Sequence, residues 1–140
     1  MSKVAVVFWS ATGNTEAMAN AVAEGAKAKG AEVSVFGSGD FSADKVSEFD
    51  AIAFGCPAMG AEVLEETEFE PMFASVETSL GGKKIGIFGS YGWGDGQWMR
   101  EWKDRCDSTG AALVNDGVMA NNAPDDAALE ECKALGEALA

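Results

Sequence analysis

The chain contains no histidine. That absence removes the usual general base, the commonest zinc ligand and the one side chain whose unperturbed titration falls near neutrality, which disfavours ordinary hydrolase and metalloenzyme chemistry. Cations are scarce: 10 Lys and Arg stand against 23 Asp and Glu, a formal charge of −13. Such a chain repels nucleic acid and anionic lipid and favours basic protein partners through the same Coulomb interaction. Cysteine is sparse, and Cys56, Cys106 and Cys132 form no C-x-x-C pair. An odd count without that spacing suits a reducing compartment better than a disulfide framework. Long apolar runs are also missing: the first, Val4 to Trp9, is far too short to span a bilayer and no longer one follows. Nothing directs export, and the expected location is the cytoplasm. What the chain does have is material for a core, since 140 residues at 47% hydrophobic suit one domain over 1–140.

Apolar runs with strand character occur at Val4–Trp9, Val33–Phe36, Ala51–Gly55, Lys84–Gly89 and Ala112–Met119. Amphipathic spacing predicts helices over Thr15–Lys29, Phe69–Ser79, Gly96–Thr109 and Asp125–Leu139, with a short one at Ser42–Val46. In the first helix Met18, Ala21, Val22, Gly25 and Ala26 share a face, Asn14 or Thr15 can cap its start, and Gly30 stops it. Five strands alternating with helices, the central strands apolar on both faces, predict an α/β fold with a doubly wound parallel sheet. No internal repeat, low-complexity tract or linker interrupts the pattern. A sheet of this kind binds ligands beyond the carboxyl ends of its strands, where the strand order reverses.

Three strand-end loops carry chemistry. The first strand runs into Ser10-Ala11-Thr12-Gly13-Asn14-Thr15 and directly into a helix. Backbone N–H groups and hydroxyls then converge at a positive helix end, which suits a phosphate. The loop has no Lys or Arg, so dipoles and hydrogen bonds would do the neutralising, as fits a monophosphate. It is neither a Walker A loop nor G-x-G-x-x-G, and the second strand ends in Phe36-Gly37 with no acid for a ribose. The third strand ends in Gly55-Cys56-Pro57-Ala58-Met59-Gly60-Ala61-Glu62 and the fourth in Gly89-Ser90-Tyr91-Gly92-Trp93-Gly94-Asp95-Gly96. A large aromatic flanked by glycines after a buried strand is explained by a planar ligand facing it.

In order and spacing these loops resemble those of the flavodoxins, and of the clostridial-type short-chain members in particular, over essentially the whole chain. The resemblance implies a flavodoxin-like five-stranded sheet of order 2-1-3-4-5 with helices on both faces, and noncovalent FMN at the reversal point. It implies that Ser10, Ala11, Thr12, Gly13, Asn14 and Thr15 hold the phosphate, that Trp93 stacks on one face of the isoalloxazine and that Met59 covers the other. By the same resemblance Glu62 accepts a hydrogen bond from flavin N3, backbone groups of Ala58, Ser90, Tyr91, Gly92 and Gly94 reach the ring edge or ribityl chain, and Asn122 lines the pyrimidine side. The Gly60 carbonyl would turn toward flavin N5 on the first reduction, with Ala61 standing where the family often has Gly or a small polar residue. Pro57 departs from the family's frequent hydroxyl-bearing residue. The uninterrupted Ala112–Met119 run points to the short-chain class.

The function implied is that of a low-potential one-electron carrier between redox partner proteins, with no catalytic residue and no metal ligand of its own. The partners implied are reductases and oxidoreductases that also use ferredoxin, docking through basic surfaces on a monomer. They would meet an acidic rim, where Glu62, Glu65, Glu66, Glu68 and Glu70 follow one another without an intervening cation. A flavodoxin-like FMN enzyme such as a quinone reductase is the alternative. A phosphoreceiver module would need an acidic pair after the first strand, a phosphoacceptor Asp ending the third and a Lys ending the fifth, where this chain has Trp9-Ser10, Cys56-Pro57 and Val118-Met119. Trp98, Met99, Trp102 and Cys106 have helical spacing and read as core. Cys56 reads as a buried small hydrophobe.

Overall fold

The computed structural model describes residues 2–11, 13–59, 63–92 and 94–140. Its elements run β1 (Lys3–Phe8), α1 (Asn14–Ala28), β2 (Glu32–Gly37), α2 (Ala43–Val46), β3 (Ala51–Gly55), α3 (Phe69–Val76), β4 (Lys84–Tyr91), α4 (Gln97–Ser108), β5 (Ala112–Leu113), β6 (Val118–Asn121) and α5 (Asp126–Leu139). All strand pairs are parallel, in the order β2-β1-β3-β4-β5 with β6 also on β4. The direction of winding reverses between β1 and β3, whose ends meet at Phe8 and Gly55. A crevice beyond those ends is the consequence.

Alternation along each strand divides the core in two. Val4 and Val6 pack with Met18 and Val22 of α1 and Cys132 and Leu135 of α5. Ala5 and Val7 face the opposite way, onto Phe69 and Phe73 of α3 and Trp98 and Trp102 of α4. Edge-to-face contacts knit that second layer, with Phe54 5.2 Å from Phe73 and Phe69 5.5 Å from Trp102 between ring centroids. The stripe Trp98, Met99, Trp102 and Cys106 is fully core, as its spacing predicts.

Two local expectations change. Neither Asn14 nor Thr15 caps α1: Gly13 holds the cap position at φ 93°, and the Ser10 hydroxyl oxygen accepts from the N–H groups of Gly13 (3.1 Å) and Glu16 (3.3 Å). The fifth strand is not continuous over Ala112–Met119 but breaks between Leu113 and Val118. In the gap the Asn115 side chain accepts from Ile87 N (3.3 Å) and donates to Ile87 O (3.2 Å). A primary amide carries the same donor and acceptor as a peptide unit, so one side chain satisfies the β4 backbone where no strand partner runs.

Candidate functional site

The crevice opens as a cleft of about 300 Å³ lined by Ser10, Ala11, Asn14, Thr15, Pro57, Ala58, Met59, Ser90, Tyr91, Gly92 and Asn122. All these described residues are uncharged, and the volume falls at the lower end of the ~300–1,000 Å³ usual for small-molecule sites. Backbone hydrogen bonds fix its walls. Cys56 N donates to Phe88 O (3.1 Å), Ala58 N to Ser90 O (3.0 Å), and Met59 and Val63 exchange a reciprocal pair at 2.9 Å. On the far side Asn122 adopts a left-handed φ of 59°, and its N–H donates to Tyr91 O at 2.7 Å. Beneath the cleft the buried hydroxyls of Thr15 and Ser90 lie 3.1 Å apart.

Ten of the residues expected at the site thus meet in one cleft: Ser10, Ala11, Asn14, Thr15, Ala58, Met59, Ser90, Tyr91, Gly92 and Asn122. Gly13 and Gly94 are not in the lining, although both take left-handed φ values, 93° and 80°, in the loops beside it. Thr12, Gly60, Ala61, Glu62 and Trp93 lie outside the described residues. Pro57 joins the lining, a position the sequence marks only as a departure from the family pattern.

The expected acidic rim is rearranged. Glu65 is only 5% exposed, and its carboxylate accepts from the N–H groups of Thr67 (2.8 Å), Glu68 (2.7 Å) and Phe69 (2.9 Å) and from the Thr67 hydroxyl. Burial alone would raise its pKa, but the Thr67 hydroxyl and those backbone donors outweigh it and hold the carboxyl below its ordinary value. Glu70 makes a two-pronged ion pair with Arg105 at 2.7 Å, and Glu77 binds the same guanidinium at 2.9 Å. Glu66 and Glu68 alone among the described members stand exposed. Cys56 is fully buried, its sulfur accepts from Glu65 N at 3.3 Å, and burial pushes its thiol pKa far up.

The cleft's chemistry fits FMN. Uncharged donors converge at the start of α1, where Ser10 shows that an oxygen acceptor draws the Gly13 and Glu16 N–H groups together. Next to them the cleft is lined by Ala58 and Met59 on one strand-end loop and by Ser90, Tyr91 and Gly92 on the other.

A sheet of order 2-1-3-4-5 with a cleft at its winding reversal is the flavodoxin-like doubly wound architecture, and the uncharged lining of that cleft suits FMN. The flavodoxin family model matches residues 6–136, and the chain belongs to the flavodoxin family. It is 50% identical to the Megasphaera elsdenii flavodoxin over 137 residues, 98% of each chain. It is 42% identical to the Clostridium beijerinckii flavodoxin over 135 residues, 96% of this chain and 97% of that one. The solution structure of two-electron reduced Megasphaera elsdenii flavodoxin superposes with a TM-score of 0.90 at 49% identity, covering 97% of each chain. The protein is therefore a short-chain FMN-binding electron carrier and not an enzyme, and neither the quinone reductase nor the phosphoreceiver reading is favoured.

Proposed function

We infer that the protein works as a single domain in the cytoplasm, carrying electrons at low potential between redox proteins that dock through basic surfaces. The observation that carries the site assignment is the uncharged cleft lined by Ser10, just before α1, by Asn14 and Thr15 at its start, and by Ala58 and Met59. In this reading residues 10–15 hold the phosphate through hydroxyls and N–H groups, Ala58, Ser90, Tyr91, Gly92 and Gly94 serve the ring edge and ribityl chain, and Asn122 borders the pyrimidine side. Trp93 and Met59 cover the two ring faces, Glu62 accepts from N3, and Gly60 and Ala61 follow the oxidation state. Bound FMN supplies the one-electron chemistry; the chain binds and orients it and excludes water. A low second potential follows from adding negative charge between apolar side chains in a chain already at −13. No helix among the described residues is long and apolar enough to cross a membrane.

Fluorescence titration of the apoprotein with FMN and with riboflavin tests the assignment. FMN should bind far more tightly, because only it presents a phosphate to residues 10–15. Equal affinities would remove the phosphate site.

A further inference from the structure

Three distant parts of the chain meet at one carbonyl oxygen. Trp98, on the first turn of α4 and 1% exposed, donates its indole N–H to Cys56 O at 3.1 Å. Residue 89 of β4 must lack a side chain for this approach: a Cβ there would sit 2.1 Å from the same Cys56 oxygen and 3.2 Å from Trp98 Cζ2. The Trp98 ring also lies 5.4 Å from that of Tyr91, centroid to centroid. Trp98 therefore touches both walls of the cleft from behind, the wall after β3 through a hydrogen bond and the wall after β4 through a ring contact.

The hydrogen bond is not a general property of an indole in this core. Trp102, one turn further along α4 and 2% exposed, has no acceptor for its Nε1 among the described residues. Cys56 lies one residue beyond β3, where the backbone leaves the strand. Its successor Pro57 has φ locked near ~−65°. The orientation of the Cys56 carbonyl is therefore passed stiffly on to Ala58, whose N–H is itself held by Ser90 O at 3.0 Å.

We propose that Trp98 is a positioning residue for the flavin cleft: its N–H fixes the Cys56 carbonyl and so sets the spacing between the Pro57-Ala58-Met59 wall and the Ser90-Tyr91-Gly92 wall. The proposal rests on the reading that these walls flank the FMN ring. Trp98 does not touch the phosphate end of the cleft, so its contribution is common to FMN and riboflavin.

The test compares Trp98→Phe with Trp102→Phe in the full chain. Both shorten a buried indole on the same helix, and only the first removes a hydrogen bond. Affinities for FMN and riboflavin and the visible absorption bands of the bound flavin are the readouts. Loss of one net hydrogen bond corresponds to roughly a 2- to 12-fold change in affinity. Trp98→Phe should weaken FMN and riboflavin by the same factor within that range and shift the bands, while Trp102→Phe leaves both near wild type. Equal effects of the two variants, a loss confined to FMN, or wild-type affinities and bands in Trp98→Phe would each overturn the proposal. If Trp98→Phe does not fold, replacing Trp98 by benzothienylalanine keeps the ring volume and deletes only the N–H. The same joint weakening is then expected, and wild-type binding would overturn the proposal. Wild-type protein that does not prefer FMN to riboflavin would count against the phosphate assignment and not against Trp98.

Discussion

The hydroxyls of Thr15 and Ser90 lie 3.1 Å apart, joining the first turn of α1 to the end of β4 across 75 residues of sequence. Both side chains are buried, at 1% and 6% exposure, and both line the cleft. Thr15→Val keeps the shape and deletes the hydroxyl that the proposed phosphate site would use. A hydrogen bond to a charged group contributes about 1.5–3 kcal/mol, so FMN affinity should fall at least about tenfold while riboflavin changes less. Titration with both ligands decides it, and parallel losses would place Thr15 in the structural floor alone.

Glu65 makes acid stability a local matter. Its folded pKa lies below the ordinary carboxylate value, so its stabilising contribution is present above the unfolded pKa of about 4.3 and is lost as pH falls through the folded value. Glu65→Gln replaces an acceptor of four hydrogen bonds by an amide that turns two donors toward other donors. A loss of roughly 1–3 kcal/mol at neutral pH is expected, together with a flatter acid limb in urea-unfolding midpoints. A variant with the wild-type acid limb would assign that limb to other carboxylates.

The three loops are legible in sequence because each demands unusual letters in a fixed place: hydroxyls before a helix, glycines around an aromatic, an apolar strand running into Cys56-Pro57. The elements are legible for the same local reason, and their ends differ from expectation by a residue or two at most sites. What escapes is whatever depends on a partner distant in sequence. The run from Glu62 to Glu70 looks like one solvated rim until Glu65 folds back onto the start of α3 and Glu70 reaches Arg105. Asn115 looks like a strand residue until its amide replaces the strand. Trp98 and Trp102 carry the same letter on the same stripe, and only the fold separates the one that reaches a carbonyl from the one that does not.

The cysteines should behave as hydrophobes. Burial pushes the thiols of Cys106 and Cys132 up to about 12 and that of Cys56 higher still. Native protein at about pH 8 should resist thiol alkylation and react at all three positions once denatured. Because these pKa values are raised, the associated stability is complete below the unfolded thiol value of about 8.5 and fades as pH rises toward the folded ones. Rapid labelling of native Cys56 would show that the loop after β3 opens.

Helices α1 and α5 touch backbone to backbone. A Cβ on Gly136 would lie 2.0 Å from Val22 O and 2.7 Å from Ala26 N, and one on Gly25 would lie 2.0 Å from Lys133 O. Alanine gains about 1 kcal/mol of helix propensity, but overpacking typically costs about 1–3 kcal/mol or more, and here the clash is with main chain that no rotamer can relieve. Gly136→Ala and Gly25→Ala should each lower the unfolding temperature. Variants as stable as wild type would mean the helices separate at little cost.

The proposed docking face would centre on Glu66 and Glu68. Glu66 and Glu68 stay exposed between the loop after β3 and α3, at the strand-end side of the sheet where the cleft opens. Glu24 and Glu137 are also exposed, but they sit near the ends of α1 and α5, which run back from the cleft toward the opposite edge. Neutralising either pair changes the net charge equally and leaves most of the −13 in place. With a Debye length of about 8 Å at physiological salt, only charges near the contact act strongly on a basic partner. Glu66→Gln with Glu68→Gln should therefore slow electron transfer to such a partner several-fold at low salt and flatten its ionic-strength dependence, while Glu24→Gln with Glu137→Gln should do much less. Stopped-flow rates over a salt series measure both. Equal effects from the two pairs would give the steering to net charge, and a rate indifferent to salt would leave the two exposed acids to the solubility of the chain and the electrostatics of the α3 N-terminus.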